Sequence, residues 1–272
     1  MKRIRYQFLV TLPLSISLIV LMAVALIVAT PLSANPPRTS IATPSSTPNT
    51  SLKPLVLLTV YNPWLMVIGS DEPTFALYDN GLVIYQRLGP ADAPELASVL
   101  LTADELEALK LTLNIDKDLY TLDSNNDYIT KTDQPTNVIR LFDPVLGEKV
   151  FSIYGDLYSD PEARRLAAPK RLIDLFDVLV KYAHDRAEVW LPDHIEVILW
   201  PDTTNANATE WPEDWPTLND PTTVKRDSVY SVYIDIKDRE RFLELRLTTT
   251  AFHWDGKNWA FAFRYPFPHE SI

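Results

Sequence analysis

Two histidine–carboxylate pairs come closest to metal chemistry: His184 with Glu188, four residues apart, and His194 with Glu196, two apart. A helix would put the first pair on one face, and a strand would do the same for the second. Imidazoles and carboxylates ligate zinc or iron, and a helix–turn–strand could in principle bring the four together. The spacing matches no zinc motif, however. A histidine in the last turns of a helix is also favoured by the macrodipole and by pairing with a nearby acid. The simpler reading is a stabilised helix end, and no metal is expected.

Asp123-Ser124-Asn125-Asn126-Asp127 alternates oxygen side chains like the start of an EF-hand calcium loop. Tyr128 then stands where the sharp turn needs glycine, and Gln134 where a bidentate glutamate closes the site. Asn114-Ile115-Asp116-Lys117-Asp118 has the same partial pattern and the same defect. Both read as polar surface loops.

Trp211-Pro212-Glu213-Asp214-Trp215-Pro216 lies within a long stretch, Pro201–Thr223, that is otherwise poor in apolar residues. Long loops with exposed aromatics are often binding surfaces, and indoles beside carboxylates can stack on a sugar, hold a cation or dock a protein. Trp211, Glu213, Asp214 and Trp215 are therefore the expected partner or ligand contacts. The competing reading tucks both indoles back onto a sheet. Trp259, Phe261, Phe263, Tyr265 and Phe267 alternate along the last strand and share one face, which reads as the core side of a sheet. Left exposed, that face would instead be a binding platform.

Other chemistries are excluded by composition. The six glycines, at 69, 81, 89, 147, 155 and 256, form no dinucleotide-binding fingerprint, phosphate loop or nucleophile elbow. There is no cysteine, so disulfides, thiolate catalysis, iron–sulfur clusters, cysteine-bound zinc and lipoprotein acylation are all ruled out. No catalytic residue and no cofactor is assigned. From residue 55 onward 20 basic side chains face 36 acidic ones, a net of −16. Such a field repels phosphate backbones and anionic lipid, so nucleic acid is not an expected partner.

The elements that must position these residues can be read from pattern. Leu55–Tyr61 is a β-branched apolar run. Thr74–Asp79 and Leu82–Arg87 flank Asn80-Gly81, a strong hairpin signal. Thr102 and Glu105 form a capping box opening a helix over Ala103–Leu113. Val138–Asp143 and Lys149–Tyr154 form a second hairpin. Asp160-Pro161 opens a long helix, with Leu172, Phe176, Leu179 and Ala183 on its apolar stripe, that is predicted to end near Glu188. His194–Trp200, Val229–Asp235 and Phe242–Thr248 read as strands, and Asp255-Gly256 turns a last hairpin that ends at Phe267. The fold class is α+β, with a mainly antiparallel sheet and two principal helices. One domain is expected over 55–272, with a possible seam near residue 190.

Ahead of that domain, Phe8–Thr30 runs 23 residues without a charge, preceded by Lys2, Arg3 and Arg5. The positive-inside rule holds residues 1–7 in the cytoplasm and sends the rest of the chain outside. A signal anchor needs about 20 apolar residues and a cleaved signal about 7–15, so the length favours a retained transmembrane helix over a secreted product. Residues 31–54 contain six Pro and nine Ser or Thr, a spacer that tends toward extended polyproline II. The absence of cysteine in an exported domain of this size favours a bacterial origin. Asn49-Thr50-Ser51 and Asn207-Ala208-Thr209 match a glycosylation sequon, which matters only in a eukaryotic host.

The expected function is a membrane-tethered extracytoplasmic binding module. Its only assigned membrane contact is the N-terminal helix, and its expected partner is a protein or a glycan. Two alternatives stand beside it: an exported hydrolase that uses two carboxylates on carbohydrate, which needs no sequence motif, and a purely structural envelope component.

Overall fold

Strand pairing organises the first half of the domain. In the computed structural model, which describes residues 52–64, 70–89, 93–204 and 207–270, eight strands form one sheet. They are β1 (Pro54–Tyr61), β2 (Pro73–Tyr78), β3 (Leu82–Leu88), β4 (Pro94–Leu100), β5 (Asn125–Asn126), β6 (Thr136–Asp143), β7 (Gly147–Tyr154) and β8 (Glu188–Val189), in the order β5-β7-β6-β1-β2-β3-β4-β8. All neighbours are antiparallel except β5 and β7. The basic N-terminus, the apolar segment 8–30 and the spacer through residue 51 lie outside the described residues. Among the described residues no helix is long and apolar enough to cross a membrane.

Turn chemistry sets the register. Between β2 and β3 the Gly81 amide donates to the Tyr78 carbonyl at 3.1 Å, and Gly81 sits at φ +87°. A side chain there would meet the Leu101 carbonyl at 3.0 Å, so this position needs glycine on both counts. Between β6 and β7 the Asp143 carboxylate accepts the Val145 and Leu146 amides, each at 2.7 Å, before Gly147 turns at φ +84°.

Helices cover one face of this sheet. α1 (Ala103–Leu113) opens with the expected capping box and buries only Leu109 and Leu113. α2 (Lys117–Tyr120) is one turn capped by Asp116. α3 (Pro161–Leu166) is capped by Asp160 with Pro in its first turn. α4 (Lys170–Val180) has no side-chain cap but buries Leu172, Ile173, Leu175, Phe176 and Leu179. Each such burial contributes about 2 kcal/mol, so packing and not capping holds α4 in place.

The single long helix expected from Asp160 to Glu188 is therefore corrected. Pro169 separates two helices, the second ends at Val180, and Glu188 lies in β8. Proline lacks the amide a continuous helix needs and restricts the residue before it. Ala183 falls beyond the helix and is exposed.

A second sheet follows: β9 (His194–Pro201), β10 (Ala208–Glu210), β11 (Val224–Arg226), β12 (Val229–Asp235), β13 (Ala251–Trp254) and β14 (Lys257–Arg264), ordered β10-β13-β14-β9-β12-β11. Only β10 and β13 run parallel. Its core gathers Ile195, Val197, Leu199, Val232, Ile234, Phe252 and Trp259 under α5 (Arg239–Thr248), which contributes Phe242. The strand expected at Phe242–Thr248 is thus a helix. Leu243, Leu245 and Leu247 alternate as in a strand, but the surrounding Arg, Glu and Leu are strong helix formers. The whole is a mixed α/β chain, mostly strand and with few helices, in two sheets.

The last residues tie the sheets together. Trp259, Phe261, Phe263 and Tyr265 face the second core, whereas Phe267 is buried against the first sheet. There it meets Leu57, Ala76, Tyr78, Ile84 and Leu96 on the face opposite the helices.

Candidate functional site

A cavity with apolar walls and a charged rim lies on the helical side of the first sheet. Its volume is about 320 Å³. The floor is a cross-strand row, Leu77 of β2, Val56 of β1 and Leu141 of β6, set by the pairings Val56↔Leu77 and Val56↔Leu141. A β-bulge borders it: β1 pairs Pro54 with Tyr78 and then Val56 with Leu77, so Leu55 is an extra residue. Both Leu55 and Val56 consequently line the cavity, where a regular strand would send consecutive side chains to opposite faces.

The wall comes from the end of α1 and from α2. Asn114 takes the left-handed conformation at φ 48°, which turns the chain so that Leu113, Ile115 and Tyr120 all reach the cavity. Asn114 and Asp116, two of the three oxygen side chains in one calcium-like pattern, are therefore helix caps. The rim carries Asp79 from the first hairpin, Lys110 from α1 and Asp143 from the second hairpin.

Electrostatics at this rim are uneven. Lys110 pairs with Glu107 at 2.8 Å. Asp79 and Asp143 have no ion-pair partner among the described residues. The Tyr120 hydroxyl donates to the Gly147 carbonyl at 3.2 Å, and burial followed by the charge of Asp143 pushes its pKa up. The phenol stays neutral at physiological pH.

A second cavity, of about 280 Å³, is lined by Thr74, Gln86, Arg87, Tyr158, Lys181 and Tyr182 among others. Its cations are already engaged, Arg87 by Glu95 at 2.8 Å and Lys181 by Asp177 at 3.0 Å.

The residues singled out by sequence are distributed differently. Trp211 and Trp215 are 6% and 3% exposed and pack edge to face within the second core. The Trp211 ring nitrogen donates to the Pro216 carbonyl at 3.1 Å. Asp214 is held by Arg241 at 2.7 Å, and Arg241 lies over the Trp215 ring. Glu213 remains exposed. The aromatic part of the expected contact surface is thus taken up by packing, and Glu213 and Asp214 form its accessible edge.

The four histidine–carboxylate residues do not converge. His184 faces Glu105 at 3.5 Å, whereas Glu196 is buried against Arg264 at 2.6 Å. Among the described residues no group of three or more candidate ligands could hold a metal ion. Asn126, in the other calcium-like pattern, is buried and donates to the Asp123 carbonyl at 2.9 Å.

Sequence reading missed a charged cluster at the joint between the sheets. Arg264 donates to Glu196 and, through Nη1, to both oxygens of Glu270 at 2.7 and 2.9 Å. Glu72 accepts the Tyr265 amide, and Tyr78 hydrogen-bonds His269 Nδ1 at 2.8 Å. Burial pushes Glu72 up to about 7, against the lowering pull of the Tyr265 amide and Arg264. Sequence reading also missed Asp79 and Asp143 as a pair. Each is an ordinary turn residue in sequence, and only strand order brings their hairpins to one cavity.

No known family model, curated protein or solved structure matches the chain. Fold and site together define a class: a two-sheet, mainly antiparallel α/β domain with an acid-rimmed apolar cavity between its first sheet and the helices above it.

Proposed function

We propose that this chain is an extracytoplasmic binding module, tethered through its N-terminal apolar segment, that takes a small molecule in the cavity beneath α1 and α2. The carrying observation is the cavity itself. Its size falls in the range of small-molecule sites, roughly 300–1,000 Å³, and its walls are apolar with few polar groups at the rim. The uncharged segment 8–30 behind Lys2, Arg3 and Arg5 supports the tether. The acidic surface supports partners other than nucleic acid.

A thermal-shift screen of the purified full-length chain against compact apolar compounds tests the reading. A ligand at 100 times its Kd raises stability by about 2.7 kcal/mol. An Ile115→Trp variant, which fills the cavity from its wall, is expected to fold and to lose that shift. No shift with any compound overturns the proposal. Retention of the chain in membranes after alkaline extraction tests the tether, and release as a shorter soluble product supports cleavage instead.

The two unpaired carboxylates in one cavity favour a second reading, a hydrolase using Asp79 and Asp143 as acid and base on a carbohydrate. Turnover of aryl glycosides that is lost in Asp79→Asn and in Asp143→Asn would establish it.

A further inference from the structure

We propose that the ligand of this cavity is an organic ammonium ion, its charged head at Asp79 and Asp143 and its apolar body against Val56, Leu77 and Leu141. The inference rests on the cavity being a binding site, and it specifies what enters.

Charge complementarity argues for it. The cavity is lined by two carboxylates and one cation, and the cation is already neutralised by Glu107. Asp143 uses one oxygen, Oδ1, for the Val145 and Leu146 amides, which fixes the carboxylate in place and leaves Oδ2 to a ligand. Asp79 has no ion-pair partner among the described residues. An anionic head would therefore meet uncompensated negative charge, and a neutral one would leave both acids unused.

Aromatic lining points the same way. Tyr120 borders the cavity, and aromatic faces attract cations through their quadrupole, most strongly where the cation is desolvated. The Tyr120 hydroxyl is turned to the Gly147 carbonyl and so spends its proton within the fold. Beyond the cavity, the net −16 of residues 55–272 raises the local concentration of cations and lowers that of anions.

Calorimetric titration of the full-length chain with hexylammonium, 1-hexanol and hexanoate separates the possibilities, since the three share one apolar body. Hexylammonium is expected to bind about fivefold more tightly than hexanol, and hexanoate least well, with a preference that shrinks as salt rises. The double variant Asp79→Asn, Asp143→Asn should keep hexanol binding and lose the preference. Asparagine at 143 retains the acceptor for the two amides, so the hairpin survives. If hexanol binds and hexylammonium gains nothing over it, or hexanoate binds best, the ammonium assignment falls while the cavity stands. If none of the three binds, the cavity reading falls as well.

Discussion

Glu72 is a carboxyl group placed where a carboxylate is poorly solvated. Burial raises its pKa from 4.5 to about 7, so the folded chain holds a proton that the unfolded chain has released. The resulting stability is fully present below pH 4.5 and is lost as pH rises toward 7. At most about 3 kcal/mol is at stake. His269, whose pKa burial lowers, works in the opposite direction, because its unfolded form takes a proton first as pH falls. Comparing wild type with Glu72→Gln isolates the glutamate: glutamine still accepts the Tyr265 amide but does not titrate. Urea unfolding across pH 4.5 to 7 should show a stability difference that changes steadily with pH; a constant difference would mean that Glu72 is already ionised in the fold.

Helices in this chain are held by different means, and that decides which were legible. α1 is written in its cap: the Thr102 hydroxyl accepts the Glu105 amide, and the Glu105 carboxylate accepts the Thr102 amide at 2.8 Å. Because its end carries Lys110 and Leu113 to the cavity, Thr102→Ala should cost about 1 kcal/mol in urea unfolding and weaken any cavity ligand in parallel. Loss of stability with unchanged ligand affinity would show that α1 does not position the rim. α4 lacks a side-chain cap and is legible only by its apolar stripe, so its ends, at Lys170 after Pro169 and at Val180, carry no capping signal in the sequence. α5 carries a strand-like alternation at Leu243, Leu245 and Leu247, yet it is a helix that buries only Phe242. The bulge at Leu55 had no signal at all, since nothing in the residues themselves says which strand β1 will pair with.

Across the whole molecule, two sheets with separate cores are joined by the chain's last residues. Phe267 is 1% exposed, packs beside Trp190 at 5.2 Å between ring centroids, and belongs to the first sheet although its neighbours serve the second. Phe267→Ala should cost about 3–5 kcal/mol and loosen the coupling between the sheets. Calorimetry is expected to resolve two thermal transitions where wild type shows one; a single transition, merely shifted down, would mean that other contacts suffice to couple them.

By itself the sequence determined the hairpins at Asn80-Gly81, Asp143–Gly147 and Asp255-Gly256, the capping box of α1, the mainly antiparallel pairing and the excess of acid. Each depends on residues within a few positions of one another, where turn geometry and local hydrogen bonding are decided. The burial of Trp211 and Trp215, the crossing of Phe267 to the other sheet, the Arg264 ion-pair cluster and the placement of Asp79 and Asp143 on one cavity were decided only by tertiary structure. These contacts join residues far apart in the chain, and their free energy depends on strand order and on which face each side chain finds covered.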